Sequence, residues 1–347
     1  MELGISSFGD LSPVEQGWSQ NGHRRMQELM EEIELADQLG LEVYAVGEHH
    51  RPDYLVSAPA VVLAAAAVKT KGIRLSSAVS ILSSDDPVRV FQQFATVDLL
   101  SSGRAELMVG RGSFIESFPL FGYHLEDYDE LFEEKLQLLL EINKQVKVSW
   151  KGKHRPDIPN LGIYPRPFVE KLPVWIAAGG TPQSAIRAGT LGLPLTLAII
   201  GGQPVQFVPF IDLYRKAWDQ HGHPSQKFQL GINSHTYVAE TSQQAADEFF
   251  PSYAEVMSRI GRERGWGPTT RGQYEAMRSP RGALLVGSPQ QVIDKILYEH
   301  ELFGNTRFMA QMSIGTIEHK KVMRSIELFG TVVAPEVRRQ AVSQLVS

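Results

Sequence analysis

Cysteine is absent from this chain of 347 residues. Its absence excludes disulfide bonds, thiolate metal sites and a cysteine nucleophile, and it fits a reducing compartment. An excess of basic residues is also missing, because the formal net charge is −5. We therefore expect no nucleic-acid partner.

Long apolar runs are scarce as well. The uncharged, alanine-rich run at residues 54–68 is shorter than the roughly 20 residues that a membrane-spanning helix needs. The first ten residues, MELGISSFGD, have no basic segment ahead of an apolar one. We expect no membrane partner and no signal peptide, and we predict a cytoplasmic location.

The sequence also lacks the common nucleotide-binding fingerprints. The pattern G-x-G-x-x-G does not follow the first predicted strand, and Gly110-Arg111-Gly112 is followed by Ile115 where a third glycine would stand. No P-loop pattern occurs. These absences argue against a doubly wound open sheet, which is the alternative fold for alternating strands and helices.

Strand and helix patterns alternate along the whole chain. The predicted strands are 3–8, 43–46, one within 73–82, 105–109, 174–177, 195–200, 230–238 and 307–312. The predicted helices are 24–39, 60–68, 87–100, 127–146, one that begins at 181–182, 207–221, 242–262, 288–303 and 317–329, after a polar loop over 9–23. Eight strands in this alternation predict a single (β/α)8 TIM barrel over residues 1–347.

Two segments interrupt the alternation. Residues 147–171 are rich in proline and glycine and predict a hairpin or extended excursion. Residues 264–282 show little periodicity and predict a mobile excursion. In a barrel, the active site lies at the carboxyl ends of the strands, so the residues that follow each strand are the functional candidates.

The segment 173–192, PVWIAAGGTPQSAIRAGTLG, predicts a strand, a glycine turn and a helix start. Thr181 is the expected N-cap and Pro182 the first helical residue. Unpaired N–H groups at Gly179 and Gly180, together with the helix dipole, would favour an anion. A tight turn that binds nothing is the alternative for this segment alone.

Arg111 follows the preceding strand between two glycines. Its guanidinium group matches phosphate geometry, although a salt bridge to Glu48 or Asp85 is the alternative. Because the two segments follow neighbouring strands, we predict that one phosphate lies between Arg111 and Gly179-Gly180.

Glu48, His49 and His50 follow the second strand. A histidine there can act as an acid or base near neutral pH. A metal site would need further ligands at other strand ends, which we do not find, so we predict no metal. A histidine held in a loop network is the remaining alternative.

Several motifs in order resemble the flavin-dependent luciferase-like monooxygenases, the superfamily of bacterial luciferase. They are GEHH (47–50), SSAVSILSSDDPVRVFQQFATVDLLSSGRAELMVGRGSF (76–114), PVWIAAGGTPQSAIRAGTLGLPL (173–195), VGSPQQVIDKI (286–296) and IELFGTVVAP (326–335). The resemblance extends from the first strand to about Pro335. It implies an α/β barrel that binds FMN at the carboxyl ends of the strands.

The resemblance also implies an activity. Reduced FMN would react with O2 to a C4a-peroxyflavin, which oxygenates a small organic substrate, and a separate flavin reductase would supply the reduced FMN. Two alternatives remain: a deazaflavin-dependent enzyme of the same fold that transfers hydride, and a flavin-binding protein without turnover. Family members dimerise through helices two and three, so a homodimer is expected through the alanine-rich helix at 59–68.

Positions carried over from the family define a predicted site. His49, with Glu48 beside it, is the predicted catalytic residue, and 264–282 lies where the family has its mobile lid. The predicted cofactor-binding residues are Ala78, Val79, Arg111, Ser113, Gly179, Gly180 and Gln183. Ala78-Val79 falls where the family often has a non-prolyl cis peptide against the isoalloxazine ring. Bacterial luciferase has a carboxylate and hydroxyls in the second phosphate-binding segment, whereas this chain has two glycines.

Overall fold

The computed structural model describes residues 1–11, 18–112 and 114–344. Short apolar segments form twelve strands in these ranges. They are β1 (Glu2–Ser7), β2 (Val43–Val46), β3 (Arg74–Ser77), β4 (Ser80–Ile81), β5 (Ala105–Gly110), β6 (Lys147–Trp150), β7 (Ile158–Gly162), β8 (Val174–Ala178), β9 (Leu195–Ala198), β10 (Leu230–Val238), β11 (Leu285–Gly287) and β12 (Arg307–Gln311).

The helices alternate with these strands. They are α1 (Trp18–Gln38), α2 (Pro59–Lys69), α3 (Pro87–Ser101), α4 (Ser117–Leu120), α5 (Tyr128–Lys144), α6 (Pro182–Leu191), α7 (Val208–Gln220), α8 (Ser242–Arg264), α9 (Arg271–Arg278), α10 (Pro289–Phe303), α11 (His319–Leu328) and α12 (Ala334–Gln344). Asp86 caps α3 by accepting hydrogen bonds from the amides of Val88 (2.9 Å) and Arg89 (3.2 Å). No helix of the described ranges is long and apolar enough to cross a membrane.

Eight strands close into a parallel barrel in the order β1, β2, β3, β5, β8, β9, β10, β12 and back to β1. β4 follows β3 and pairs with the carboxyl end of β5. β11 lies outside the barrel and pairs with the carboxyl end of β10. Most barrel residues are buried, because helices cover the outside and side chains fill the inside. The fold is therefore an α/β TIM barrel, as predicted. The single-domain interpretation of residues 1–347 stays a prediction.

The hairpin expected within 147–171 is confirmed, because β6 and β7 are antiparallel and Lys147 pairs with Gly162. The loop predicted over 9–23 is wrong where it overlaps α1, which begins at Trp18. Asn21 and Gly22 have low helix propensity, but Gly22 is buried, so tertiary packing holds this turn. Residues 12–17 of the same prediction lie outside the described residues.

Two further predictions fail at helix ends. Residues 264–282 are not an irregular excursion throughout, since they contain α9, whose N-cap Thr270 accepts a hydrogen bond from the Gln273 amide at 3.3 Å. An eight-residue helix is too short to show a clear period. The final helix is not the last one either, because α12 follows a π-helical turn over Phe329–Val333. Pro335 stands in the first turn of α12, where a proline starts a helix and does not break it.

Candidate active site

A cavity of about 400 Å³ opens at the carboxyl ends of the barrel strands. Six of the predicted site residues line it: Glu48, His49, Ala78, Val79, Arg111 and Gly179. Gly180 and Gln183 are not among the described residues that line the cavity, and Ser113 lies outside the described residues. The position of the cavity is that of TIM-barrel active sites.

His49 lies in an aromatic box. Its ring centroid is 4.5 Å from that of Phe8, 4.3 Å from that of Tyr54 and 5.6 Å from that of Phe114. Its Nδ1 is buried and has no hydrogen-bond partner among the described residues. Burial lowers the pKa of His49 to about 4, because desolvation disfavours the imidazolium form. The imidazole is therefore neutral at physiological pH.

Glu48 lines the same cavity, but its carboxylate is hydrogen-bonded to groups other than His49. Its Oε1 lies 2.8 Å from Nε2 of His50, and its Oε2 accepts the amide hydrogen of Ile81 at 2.8 Å. The carboxylate therefore fixes the loop after β2 against the start of β4. The structure brings Glu48 and His49 to one wall, while the carboxylate is bonded to His50.

The peptide bond between Ala78 and Val79 is cis, as predicted. The Val79 carbonyl, which follows this peptide, accepts a hydrogen bond from the Glu48 amide at 3.0 Å, so the segment of the cis peptide is linked to the loop of His49. A side chain at Gly110 would place its Cβ 3.0 Å from Val79 Cγ2. Glycine at this position allows the end of β5 to approach the cis peptide closely.

Arg111 is the cationic group on the opposite wall. Its guanidinium pairs with Asp129 at 2.5 Å, and neither Glu48 nor Asp85 is its partner. It also donates to the hydroxyls of Thr181 (3.3 Å) and Ser184 (3.5 Å). The two hydroxyls belong to the N-cap and first turn of α6, so an arginine, two hydroxyls and a helix start converge in one place. This is a suitable arrangement for a phosphate.

The second phosphate-suited segment differs in detail from its sequence-based description. Thr181 is the N-cap residue of α6, but its side chain does not cap the helix. A Cβ on Gly179 would meet nothing within 4 Å, whereas Gly180 has a φ of +107°, which favours glycine. Gly179 therefore leaves open space beside Arg111, and Gly180 makes the turn possible.

The polar residues of the cavity wall that sequence reasoning missed include Asp10 and His235. Burial raises the pKa of Asp10 to about 6 and lowers that of His235 to about 4. Each has one buried side-chain atom without a hydrogen-bond partner among the described residues, Asp10 Oδ2 and His235 Nδ1. A signal existed for both. Asp10 is the third residue after β1, as His49 is after β2, and His235 follows Gly231 and Asn233 in period-two alternation along β10.

One group of possible metal ligands is found among the described residues, and it is not part of the cavity wall. Asp127, Glu130 and His154 could offer three ligand atoms within 4.8 Å of one another. Glu130 is already paired with Lys153 at 2.5 Å and with His154 at 3.2 Å. These contacts account for the cluster as a surface ion-pair network.

The fold and the site together define the class of protein. It is a TIM barrel with a ligand cavity at the strand ends, a phosphate-suited wall and a buried histidine. The sequence matches the family described as luciferase-like monooxygenase over residues 1–306. The chain therefore belongs to this family, and it is a flavin-dependent oxidoreductase of the monooxygenase type.

Individual relatives agree with this assignment. The chain is 26% identical over 329 residues to the 4-hydroxyprotoasukamycin monooxygenase of Streptomyces nodosus subsp. asukaensis, covering 88% of this chain and 86% of that protein. It is 24% identical over 326 residues to the oxygenase component of the flavin-dependent trigonelline monooxygenase of Acinetobacter baylyi, covering 85% of each.

Solved structures share the fold. The monooxygenase RslO1 from Streptomyces bottropensis superposes with a TM-score of 0.84 at 23% identity, covering 97% of this chain and 99% of that one. The oxygenating constituent of 3,6-diketocamphane monooxygenase from Pseudomonas putida, in complex with FMN, gives 0.75 at 18% identity, covering 97% and 98%. The coenzyme F420 dependent tetrahydromethanopterin reductase from Methanopyrus kandleri gives 0.73 at 17%, covering 97% and 99%.

Proposed function

We propose that this protein is an FMN-dependent monooxygenase that uses reduced FMN and O2 to oxygenate a small organic substrate. The observation that carries the proposal is that Arg111, which lines the cavity together with the Ala78-Val79 peptide and His49, donates to the hydroxyls of Thr181 and Ser184 at the start of α6. An anion site and an apolar floor in one cavity suit a cofactor with a phosphate and a flat ring.

The residues present fit FMN. Arg111 and the two α6 hydroxyls would hold the phosphate, and the open space at Gly179 would admit it. The Asp129 side chain is 70% exposed, so it can turn to solvent when a phosphate takes its place on Arg111. The isoalloxazine ring would lie against Ala78-Val79. By resemblance, Ser113, Gly180 and Gln183 would complete the phosphate end.

Bound reduced FMN would supply the electrons that activate O2. The residues of the chain would bind and position the cofactor and the substrate, and they would exclude water from the cavity. Phe8, Tyr54 and Phe114 shield His49 from solvent, and a neutral imidazole can accept a proton at one ring nitrogen and donate one from the other. Glu48 holds the loop that carries His49 and is a positioning residue.

We also propose a separate flavin reductase as partner, in line with the relative named as an oxygenase component, a cytoplasmic location, and a homodimer. The exposed face of α2 supports the dimer, because Val61 and Val68 are apolar and 68% and 71% exposed. Contiguous exposed apolar residues of this kind mark interaction surfaces.

Binding of FMN and riboflavin to Arg111→Ala tests the cofactor site. The variant should lose about 1.5–3 kcal/mol of FMN binding, roughly a tenfold to hundredfold increase in Kd. Riboflavin lacks the phosphate and should bind the parent and the variant equally. Arg187→Ala is the matched control, because Arg187 is on α6 but does not line the cavity.

Two outcomes would contradict the proposal. If Arg111→Ala weakened riboflavin as much as FMN, the arginine would support the loop and not the phosphate. If the protein retained a deazaflavin of the F420 type in preference to FMN, and consumed no O2 with reduced FMN, hydride transfer would replace oxygenation as the function.

A further inference from the structure

The cavity wall divides into two arcs. The phosphate-suited groups follow β5 and β8, which are neighbours in the barrel. The opposite arc consists of β10, β12, β1 and β2, which are consecutive in the barrel. In register, His235 lies beside Gln311, and Gln311 lies beside Ser6. This second arc carries Asp10 and His235, to which the proposed cofactor site assigns no role.

Asp10 is a buried acceptor with one oxygen unused. It is 4% exposed, its Oδ1 accepts the Gly315 amide at 3.0 Å, and its Oδ2 has no partner among the described residues. Arg25 does not neutralise the carboxylate by a direct contact, because its Nε donates to the backbone carbonyl of Asp10 and its Nη1 pairs with Glu32 at 2.7 Å. A buried carboxylate oxygen without a donor is unfavourable, and a ligand that donates a hydrogen bond would remove this cost.

Aromatic rings line the same cavity as this carboxylate. Tyr54 pairs with Asp10 through the backbone, and its ring centroid is 6.1 Å from that of Phe8 and 6.0 Å from that of Phe114. Apolar side chains of α8, Val256 and Ile260, also line the cavity. The space beside Asp10 therefore suits a flat apolar body with a polar end.

The charges at the cavity mouth argue for a neutral ligand. The Arg51 guanidinium lies 4.5 Å from the Phe114 ring centroid, and that of Arg264 lies 5.9 Å from the same centroid. Arginines thus already use the π system of Phe114, so a cationic ligand would meet like charges there. Arg51 is paired with Asp53, Glu116 and Glu263, so this arginine is not available to an anionic substrate.

We infer that the arc of β10, β12, β1 and β2 is a substrate subsite for a neutral aromatic compound with a hydroxyl group, and that the hydroxyl donates a hydrogen bond to Asp10. This inference rests on the proposed function, because it identifies the substrate class of the same cavity. His235 Nδ1, on the same arc, offers a second polar contact. Asp10 and His235 are specificity-determining residues.

Equilibrium binding of 2-naphthol and 2-methoxynaphthalene tests the subsite. The two probes have the same aromatic body, but only 2-naphthol can donate a hydrogen bond. The wild-type protein should bind 2-naphthol about tenfold more tightly, the difference expected for one buried hydrogen bond. Asp10→Asn keeps an oxygen for the Gly315 amide and turns an NH2 group toward the cavity, so the preference should fall to about threefold or less.

Asp53→Asn is the matched control. Asp53 is also a buried carboxylate near the mouth, but both of its oxygens contact arginines, Arg51 at 3.3 Å and Arg259 at 2.8 Å. This variant should keep the wild-type preference for 2-naphthol. If Asp10→Asn does not fold, His235→Phe provides a second test and should reduce 2-naphthol binding relative to the ether.

The titrations are made on the protein with and without oxidised FMN, and FMN binding is measured separately by flavin fluorescence. A preference for 2-naphthol in a protein that does not bind FMN would overturn the cofactor proposal and support the subsite. Equal binding of both probes by the wild type, or an unchanged preference in Asp10→Asn, would overturn the subsite, whatever the result for FMN.

Discussion

At the scale of single residues, His49 combines a tightly packed ring with an unused nitrogen. His49→Phe keeps an aromatic ring in the box and removes both nitrogens, so turnover should fall by roughly 10² or more if the imidazole moves a proton. The Kd for FMN and the melting temperature should change little. Because burial holds the pKa of His49 at about 4, the wild type should show no loss of activity from His49 protonation between about pH 6 and 8.

Steady-state kinetics with a coupled supply of reduced FMN measure this effect. In His49→Ala, added imidazole should restore part of the turnover, which a purely structural role would not allow. Wild-type turnover in His49→Phe would show that the nitrogen has no part in the chemistry.

The sequence predicts those features of the site that depend only on the position of a residue directly after a strand. A polar or glycine-rich segment directly after a strand must lie at the barrel's carboxyl end, and Glu48, His49, Arg111 and Gly179 line the cavity there. Hydrogen-bond partners could not be predicted in this way. Glu48 is bonded to His50 and the Ile81 amide, and the choice between such neighbours depends on side-chain geometry.

At the scale of elements, helix α10 buries a carboxylate. Glu299 is 1% exposed, and neither of its side-chain oxygens has a hydrogen-bond partner among the described residues. Burial raises the pKa of Glu299 to about 8, although Lys295 opposes the shift. Lys295 is one turn away on the same helix, and it donates to the carbonyls of Ser279 (2.9 Å) and Leu284 (2.5 Å).

The sign of the pH dependence follows from this raised pKa. The folded state holds the Glu299 proton up to a higher pH than the unfolded state, so the protonated carboxyl favours folding. The free energy of unfolding should therefore fall between about pH 4.5 and 8, by about 1.4 kcal/mol per pH unit at most. Burial lowers the pKa of Lys295 to about 8, so its own titration affects stability above this range.

Glu299→Gln should remove this slope. The amide cannot ionise, so the variant should be more stable than the wild type at pH 8 and similar to it at pH 5, as measured by urea unfolding at both values. Glu301→Gln, at an exposed position of the same helix, is the control and should leave the slope unchanged. A parallel loss of stability at both pH values would mean that packing, and not ionisation, limits this site.

The elements themselves were largely predictable, for physical reasons that also explain the failures. Strong apolar periods and capping residues made elements such as β10 and α3 predictable. The N-cap residue of α3, Asp86, accepts the expected hydrogen bond. α9 was missed because its eight residues span little more than two turns. The contact between Arg51 and Glu263 was not predictable, since the two residues are 212 positions apart in the chain.

At the scale of the whole molecule, one exposed surface is unusually apolar. On α2, Val61 and Val68 are 68% and 71% exposed, and Ala65 between them is also exposed. On α3, which packs beside α2, Leu99 and Leu100 are 46% and 47% exposed. A monomer would leave this apolar area in water, whereas a second copy with the same helices could cover it.

A two-fold symmetric dimer through this face makes a specific prediction. Sedimentation velocity at micromolar concentration should show a dimer for the wild type and a monomer for the double variant Val61→Glu, Val68→Glu. In a symmetric interface each substitution occurs twice, so the variant would bury four carboxylates without partners, and burial of unpaired charge is very costly. Val332→Glu, at a valine that is 43% exposed outside this face, should remain dimeric. A monomeric wild type would refute the homodimer, and a dimeric double variant would place the interface on another face, because α2 could not then lie at its centre.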